Sequence, residues 1–219
     1  MKPTKQAPRY GVHKIFGPTI QGEGGMTGTV CHFLRLSGCN MWDGRPETRA
    51  DSLCPFCDTD FYSRTMMTSD DIVAELRSLG AVEWITISGG EPALQLLKKP
   101  ALVEDLNRCG YKTAVETNGT VKPGRWSELI DHVTLSPKVP PEELALTDCD
   151  TLKVLWPHPD PRINPLAYAP VTARQRFVQP ITGDDPKQTT ANMRSAIDWV
   201  THNTEWRLSP QVHKLIGVE

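Results

Sequence analysis

Apolar positions along the chain fall into short runs separated by glycine, proline and clusters of polar residues. Residues 30–36 form a nearly continuous apolar run and predict a buried strand. Residues 82–88 alternate and are rich in β-branched side chains, which predicts another. Residues 111–115, 133–135, 151–155 and 176–181 read as further strands, and 206–208 as a last extended piece. Between these runs the period lengthens. Thr68 or Ser69 caps a helix that runs to about Leu79, with Asp70 and Asp71 in its first turn. A second helical stretch covers residues 94–108 with a break expected at Pro100, and Gly110 stops it; a third covers 190–202.

Strands that alternate with helices predict an α/β protein with a mainly parallel sheet and right-handed crossovers. The polar, glycine-rich turns all follow strands, at the edge where barrels and open α/β sheets build their sites. With 219 residues the chain is short for an eight-unit barrel, so the pattern predicts one domain over 1–219, an incomplete (βα) barrel of about six units. Residues 39–60 break all periodicity and combine Gly, Pro and Asp with three cysteines. They read as a long ordered loop, and such loops are commonly functional.

Composition narrows the partners. The net charge is -2, so no basic field points to nucleic acid, and no apolar stretch is long enough for a membrane span. The first ten residues are polar, contain Pro3 and Pro8, and lack the apolar core of a secretory signal, so a cytoplasmic location is expected. The six cysteines are then expected to be reduced and free to bind metal.

Fourteen residues lie between Cys39 and Cys54, and two between Cys54 and Cys57. Three thiolates from one loop leave one iron of a [4Fe–4S] cubane without a protein ligand. The same cysteines fit a structural zinc site completed by Cys31, His32 or His13, and on the cysteines alone that alternative stays open. Cys31, in a strand, and Cys109, at a helix end, read as structural.

The surrounding motifs weigh on the choice. In order they are Gln21-Gly22-Glu23-Gly24, the run Phe33-Leu34-Arg35-Leu36-Ser37-Gly38-Cys39-Asn40, Cys54-Pro55-Phe56-Cys57-Asp58-Thr59, Ser88-Gly89-Gly90-Glu91-Pro92, Glu116-Thr117-Asn118-Gly119 and Ser136-Pro137-Lys138. The ordered set closely resembles the 7-carboxy-7-deazaguanine synthase family of radical S-adenosylmethionine (SAM) enzymes, from about Phe16 to the end of the chain. One departure is the first cysteine gap, fourteen residues where most radical SAM proteins have three. The inserted residues 41–53 read either as a cap over the cluster or as a docking surface for an electron donor.

The resemblance implies a radical SAM barrel holding a [4Fe–4S] cluster on Cys39, Cys54 and Cys57. The open iron takes SAM, and one electron from the cluster cleaves it to methionine and a deoxyadenosyl radical. It implies Mg²⁺ as a further cofactor and 6-carboxy-5,6,7,8-tetrahydropterin as substrate. The pterin ring contracts to 7-carboxy-7-deazaguanine and ammonia leaves, a step toward queuosine. It also implies an external electron donor of flavodoxin or ferredoxin type and a homodimer. Matching positions place Thr59 at Mg²⁺. They place SAM at Phe56, Cys57, Asp58, Gly90, Glu91, Ser136, Pro137, Lys138, and at Gln179, Pro180, Ile181 and Thr182. Substrate contacts fall on Ile20, Gln21, Gly22, Glu23, Arg35, Ser88, Glu116, His213 and the terminal Glu219. Read from the residues alone, Arg35 in its apolar strand needs an anionic partner, either the substrate carboxylate or a structural acid such as Glu23 or Asp58. Lys138 would be a solvated loop charge, and the tail a frayed end. A radical-activating enzyme that makes a glycyl radical on a partner is the alternative within enzymes; the cysteine gap and the Cys-Asp-Thr run fit it poorly.

Overall fold

The computed structural model describes residues 7–183 and 185–218. In chain order the elements are β1 (Arg9–Ile20), β2 (Val30–Leu36), β3 (Thr65–Thr68), α1 (Ser69–Ser78), β4 (Trp84–Gly89), α2 (Ala93–Leu96), α3 (Ala101–Arg108) and β5 (Lys112–Thr117). They continue with α4 (Arg125–Leu129), β6 (His132–Leu135), β7 (Asp148–Trp156), β8 (Thr172–Pro180), α5 (Pro186–His202), β9 (Arg207–Leu208) and α6 (Val212–Ile216). The strands form one open nine-stranded sheet in the order β3-β1-β2-β4-β5-β6-β7-β8-β9. From β2 to β9 neighbouring strands run parallel, while β1 pairs antiparallel with both β2 and β3. The expected α/β architecture and incomplete barrel are therefore both present.

Helix boundaries follow local chemistry. Thr68 Oγ1 accepts from the Asp71 amide, and the Asp71 carboxylate accepts from the Thr68 amide, so α1 begins with a reciprocal capping box. Ile72, Val73 and Leu76 then sit on one face and are buried. Pro100 divides α2 from α3, as its missing N–H requires. The crossovers from β6 to β7 and from β7 to β8 carry only 3₁₀ turns, Pro141–Glu143 and Pro165–Tyr168.

Two strands lay outside the expectation. β1 contains Gly11, Gly17 and Pro18, residues that weaken a strand signal, and its pairing with β2 shifts register between Val12 and Lys14 and between Phe16 and Thr19. β3 is four residues long with Thr65 and Met66 exposed, so burial patterning is absent there. The short helices α4 and α6 were also unanticipated.

The parallel strands have two distinct faces. Leu34, Leu36, Ile85, Ile87, Val115, Leu135, Leu152, Val154 and Val178 pack with helix residues such as Leu76, Leu106, Trp126 and Ala196 into one core. The alternate positions face a cavity at the C-terminal edge of the strands. They include Arg35, Ser88, Glu116, Ser136, Lys153 and Gln179. In register, Arg35 lies beside Ser88, and Glu116 beside Thr134.

The capping box is remote from this cavity and makes a clean stability test. Thr68→Ala is expected to cost about 1 kcal/mol and to lower the melting temperature by about 2–4 °C, with the strand and helix content unchanged. Calorimetry checks this, and an unshifted melting point would show that the box contributes nothing.

Candidate active site

The cavity has a volume of about 260 Å³. Its upper wall is the cysteine loop. Gly38, with φ of +89°, turns the chain out of β2 and presents Cys39. Cys54 and Cys57 follow at the far end of the loop, joined by a turn in which the Cys57 amide donates to the Cys54 carbonyl at 3.1 Å. All three cysteines line the cavity, and Met41, Phe56, Val139 and Leu144 pack around them. The Cys54 thiol hydrogen-bonds Cys57, which lowers the Cys57 pKa to about 7 against the opposing effect of burial. The same bond, together with burial, pushes Cys54 upward, and burial raises Cys39. The ammonium of Lys138 is close enough to favour thiolate at both Cys54 and Cys57. Among the described residues, no group of three or more His, Cys, Asp and Glu side chains is arranged to hold a single metal ion. A cubane takes its three thiolates on different irons.

The inserted residues fold back over this wall. Met41 and Trp42 are buried and face the cavity. Trp42 meets Phe61 edge to face at 5.5 Å, its indole N–H donates to the Arg45 carbonyl and Thr48 Oγ1 (both 3.1 Å), and the Arg49 guanidinium lies over its ring. Asp43 accepts from Thr48 Oγ1 at 2.5 Å. Met41 and Trp42 thus cap the cysteine site, while Leu53 and most of the residues between are exposed.

The glycine turn after β4 is held by close backbone contact. The Gly90 amide donates to the Leu36 carbonyl at 3.1 Å, and the Glu91 amide to the Gly38 carbonyl at 2.9 Å. A Cβ on Gly89 would lie 1.9 Å from Leu36 O, and one on Gly90 2.2 Å from Gly38 O and 2.9 Å from Cys39 Cβ. Glycine is required because the backbone of β4 seats on the turn that presents Cys39. Glu91 points away from the cavity. Its carboxylate accepts from the Asn118 amide (2.6 Å), Thr117 Oγ1 (2.7 Å) and the Ala93 amide (2.9 Å), and so staples β4 to the end of β5. Burial raises its pKa despite these bonds.

Lys138 is not a solvated charge. It lines the cavity, and its Nζ donates to both the carbonyl and the hydroxyl of Ser136 at 2.7 Å. Burial lowers its pKa. Gln179 and Ser88 line the same space, whereas Pro137, Pro180, Ile181 and Thr182 stand behind it.

The opposite wall holds the residues expected at the substrate. Ile20, Gln21, Gly22 and Glu23 border it, with Arg35 and Glu116. Gln21 Nε2 donates to Glu116 Oε1 at 3.2 Å, and its Oε1 accepts from the Glu23 amide at 3.1 Å. Lys153 reaches both Glu23 and, at 3.2 Å, Glu116 Oε2. Burial alone would raise the Glu23 carboxyl; attraction and hydrogen bonding from Lys153, joined by Gln211, outweigh it and hold the pKa near 2. The Arg35 guanidinium lies 5.3 Å from the centroid of Phe16, which stacks on Phe33. Both acids weighed as structural partners of Arg35 are engaged elsewhere, Glu23 by Lys153 and Asp58 by Lys214 at 2.6 Å.

α6 closes this end. The Val212 amide donates to the Gly22 carbonyl at 3.0 Å, and His213 packs so closely on Gly22 that a Cβ there would meet its Nδ1 at 2.2 Å. Gln211 Nε2 donates to Glu23 Oε1 (2.6 Å) and Asp58 Oδ2 (2.9 Å), and its Oε1 accepts from Thr182 Oγ1 (2.5 Å) and Lys214 Nζ (2.8 Å). Gln211 to His213 dock on the loop of Gly22 and Glu23, whereas Leu215 and Ile216 beyond them are exposed. Glu219 lies outside the described residues. Thr59 lines the cavity two residues after Cys57. Lys153, Gln211 and Lys214 were not anticipated. Lys153 carried the same signal as Arg35, a cation alternating with apolar residues in a strand; Gln211 and Lys214 carried none.

No family model matches the chain. It is similar to the 7-carboxy-7-deazaguanine synthase of Burkholderia multivorans, 36% identical over 219 residues that cover 95% of this chain and 99% of that protein. The enzyme of the same name from Bradyrhizobium diazoefficiens is 35% identical over 224 residues, with the same coverage. That of Bacteroides thetaiotaomicron is 37% identical over 207 residues, covering 94% and 97%. Among solved structures, the crystal structure of QueE from Escherichia coli superposes with a TM-score of 0.68 at 26% identity, over 93% of this chain and 94% of that one.

Two outcomes follow from this geometry. Gly90→Ala forces the Gly38–Cys39 turn away, so the variant is expected to keep its helix and strand content by circular dichroism yet retain little iron after reconstitution; full iron loading would contradict the clasp. The second concerns acid stability. Glu23 binds fewer protons folded, with a pKa near 2, than unfolded at 4.5. Its contribution is complete above about pH 4.5 and is lost as pH falls toward 2. Urea titrations should show a shallower loss of stability across that window in Glu23→Gln than in the parent chain.

Proposed function

The chain belongs to the 7-carboxy-7-deazaguanine synthase family, and we propose that it contracts 6-carboxy-5,6,7,8-tetrahydropterin to 7-carboxy-7-deazaguanine, releasing ammonia, as a radical SAM enzyme of queuosine-precursor synthesis. The observation that carries this reading is the meeting, in one cavity, of three thiols with a buried ammonium on one wall and an Arg35–Glu116–Glu23 polar set on the other.

The donor set fits a [4Fe–4S] cluster. Cys39, Cys54 and Cys57 would hold it, in a site walled by Met41, Phe56, Val139 and Leu144, which exclude water. The Gly90 backbone, Ser136, Lys138 and Gln179 would hold SAM, with Phe56 and Asp58 flanking it and Thr182 bracing from behind. When bound, the cluster and SAM together supply the electron and the radical that start the ring contraction.

The remaining chemistry belongs to the chain. Arg35, stacked on Phe16, offers a guanidinium fork to the substrate carboxylate. Gln21, Glu23 and Glu116 present acceptors and a donor to the pyrimidine edge, and His213 closes over Gly22. Thr59 would supply an oxygen for Mg²⁺, an ion that takes one or two protein oxygens and fills its shell from substrate and water. Met41 and Trp42 of the insertion fit a cap over the cysteine site, and its exposed outer residues keep the docking surface for an electron donor as the second reading. An electron donor of flavodoxin or ferredoxin type, a homodimer and a cytoplasmic location complete the reading. Among the described residues no helix is long and apolar enough to cross a membrane.

The test is anaerobic. Protein reconstituted with iron and sulfide, reduced, and supplied with SAM, Mg²⁺ and 6-carboxytetrahydropterin is expected to yield 7-carboxy-7-deazaguanine by mass spectrometry. Formation of 5′-deoxyadenosine alone would refute the substrate. A protein that retained zinc and cleaved no SAM would refute the cluster. Thr59→Ala is expected to raise the Mg²⁺ concentration needed for half-maximal rate while leaving iron content unchanged; loss of iron would assign Thr59 to the cysteine loop instead.

A further inference from the structure

Lys153 stands in the middle of β7, on the strand face that looks into the cavity, and its side chain is 4% exposed. Its ammonium joins two acids from distant parts of the chain, Glu23 after β1 and Glu116 on β5. Each acid has one further partner, Gln211 on Glu23 Oε1 and Gln21 on Glu116 Oε1. Every carboxylate oxygen therefore has one internal partner, and each retains a further acceptor site, since a carboxylate offers about four. Taken by itself, this triad of two carboxylates and one ammonium carries a surplus negative charge when both acids are ionised. Such a charge is costly unless a ligand supplies donors to it.

We propose that Lys153 is a positioning residue for the ring contraction, clamping Glu23 and Glu116 into one anionic pair whose open lone pairs receive the N–H donors of an aminopyrimidinone ring. The inference rests on the reading of this cavity as the pterin site. Lys153 acts through the two acids and not on the substrate itself. Arg35, on the same wall, addresses the carboxylate end of the ligand, so the two cations serve different functions within one cavity.

The charge state of the pair depends on its surroundings. Lys138 faces it from the turn after β6, His213 from α6, Asp58 with its partner Lys214 from the cysteine loop, and Cys31 from β2. Arg35 lines the same cavity, and Gln21 and Gln211 add neutral donors. Burial raises the Glu116 pKa and repulsion from Glu23 adds to this, while Lys153 favours ionisation of both acids and holds Glu23 low. Without it, mutual repulsion and burial drive one carboxyl to keep its proton to higher pH.

The experiment measures kcat/KM against pH on the reconstituted holoenzyme. Lys153→Met is expected to lower kcat/KM at neutral pH by about tenfold or more, the scale of a lost charged hydrogen bond. It should also move the acid limb upward by about one pH unit, whereas Lys153→Arg keeps the limb in place. A packing defect alone would lower activity equally at all pH values and leave the limb unmoved, which would overturn the proposal. The double variant Lys153→Met with Glu23→Gln removes one charge of each sign, so it should melt above Lys153→Met alone. A double variant no more stable than Lys153→Met, including the case where neither folds, would also overturn it. A parent holoenzyme that makes no deazaguanine refutes the pterin reading. An active parent with an unmoved limb in Lys153→Met refutes only the role of Lys153.

Discussion

A parallel strand has two faces, and both need cover. Here one face is covered by helices and the other surrounds a cavity, so neighbouring residues of a strand meet opposite demands. Leu34 and Leu36 are sealed in the helix-packed core while Arg35 between them faces ligand space; Leu152 and Val154 are sealed while Lys153 faces it. Register then gathers the inward positions of separate strands at one level, with Arg35 next to Ser88 and Glu116 next to Thr134. The site is a consequence of period-two alternation combined with parallel pairing.

That arrangement brings ionised groups into a site shielded from water, where each has to be answered by a partner. Glu23 and Glu116 share Lys153, Lys138 rests on Ser136 and lies near the thiols, and Asp58 is held by Lys214 and Gln211. The set divides the cavity chemically. The cysteine end combines apolar walls with the ammonium of Lys138, which suits an electron-transfer group. The far end carries hydrogen-bonding acids and a guanidinium on an aromatic ring, which suits a flat heterocycle with a carboxylate.

Two closures keep these ends together. The clasp of Gly89 and Gly90 on the Leu36 and Gly38 carbonyls ties the end of β4 to the turn that presents Cys39, and the Glu91 staple extends the tie to β5. Gln211 joins the loop of Glu23, the cysteine loop at Asp58 and the segment at Thr182 through both ends of one amide. Because the amide is satisfied at nitrogen and oxygen alike, it couples substrate loop, cysteine loop and C-terminal helix at no cost in unpaired polar groups.

Local chemistry alone was enough for much of this protein. The helix start at Thr68 or Ser69, the helix break at Pro100, the buried run of β2 and the sharp glycine turns were all legible, since each depends on residues within a few positions of one another. The cysteine spacing and the ordered motifs pointed to the cofactor chemistry for the same reason. β1 was hidden because its glycines, Pro18 and register shifts erase the alternation that marks a strand, and pairing on both sides supplies the stability instead. Only the tertiary structure decided which acid meets which cation. Glu23 and Asp58 were equal candidates for Arg35, yet Lys153 and Lys214 hold them, and Gln211 bridges between them. Those pairings join residues more than a hundred positions apart, and their energies depend on burial and distance, which exist only once the sheet has closed over the cavity.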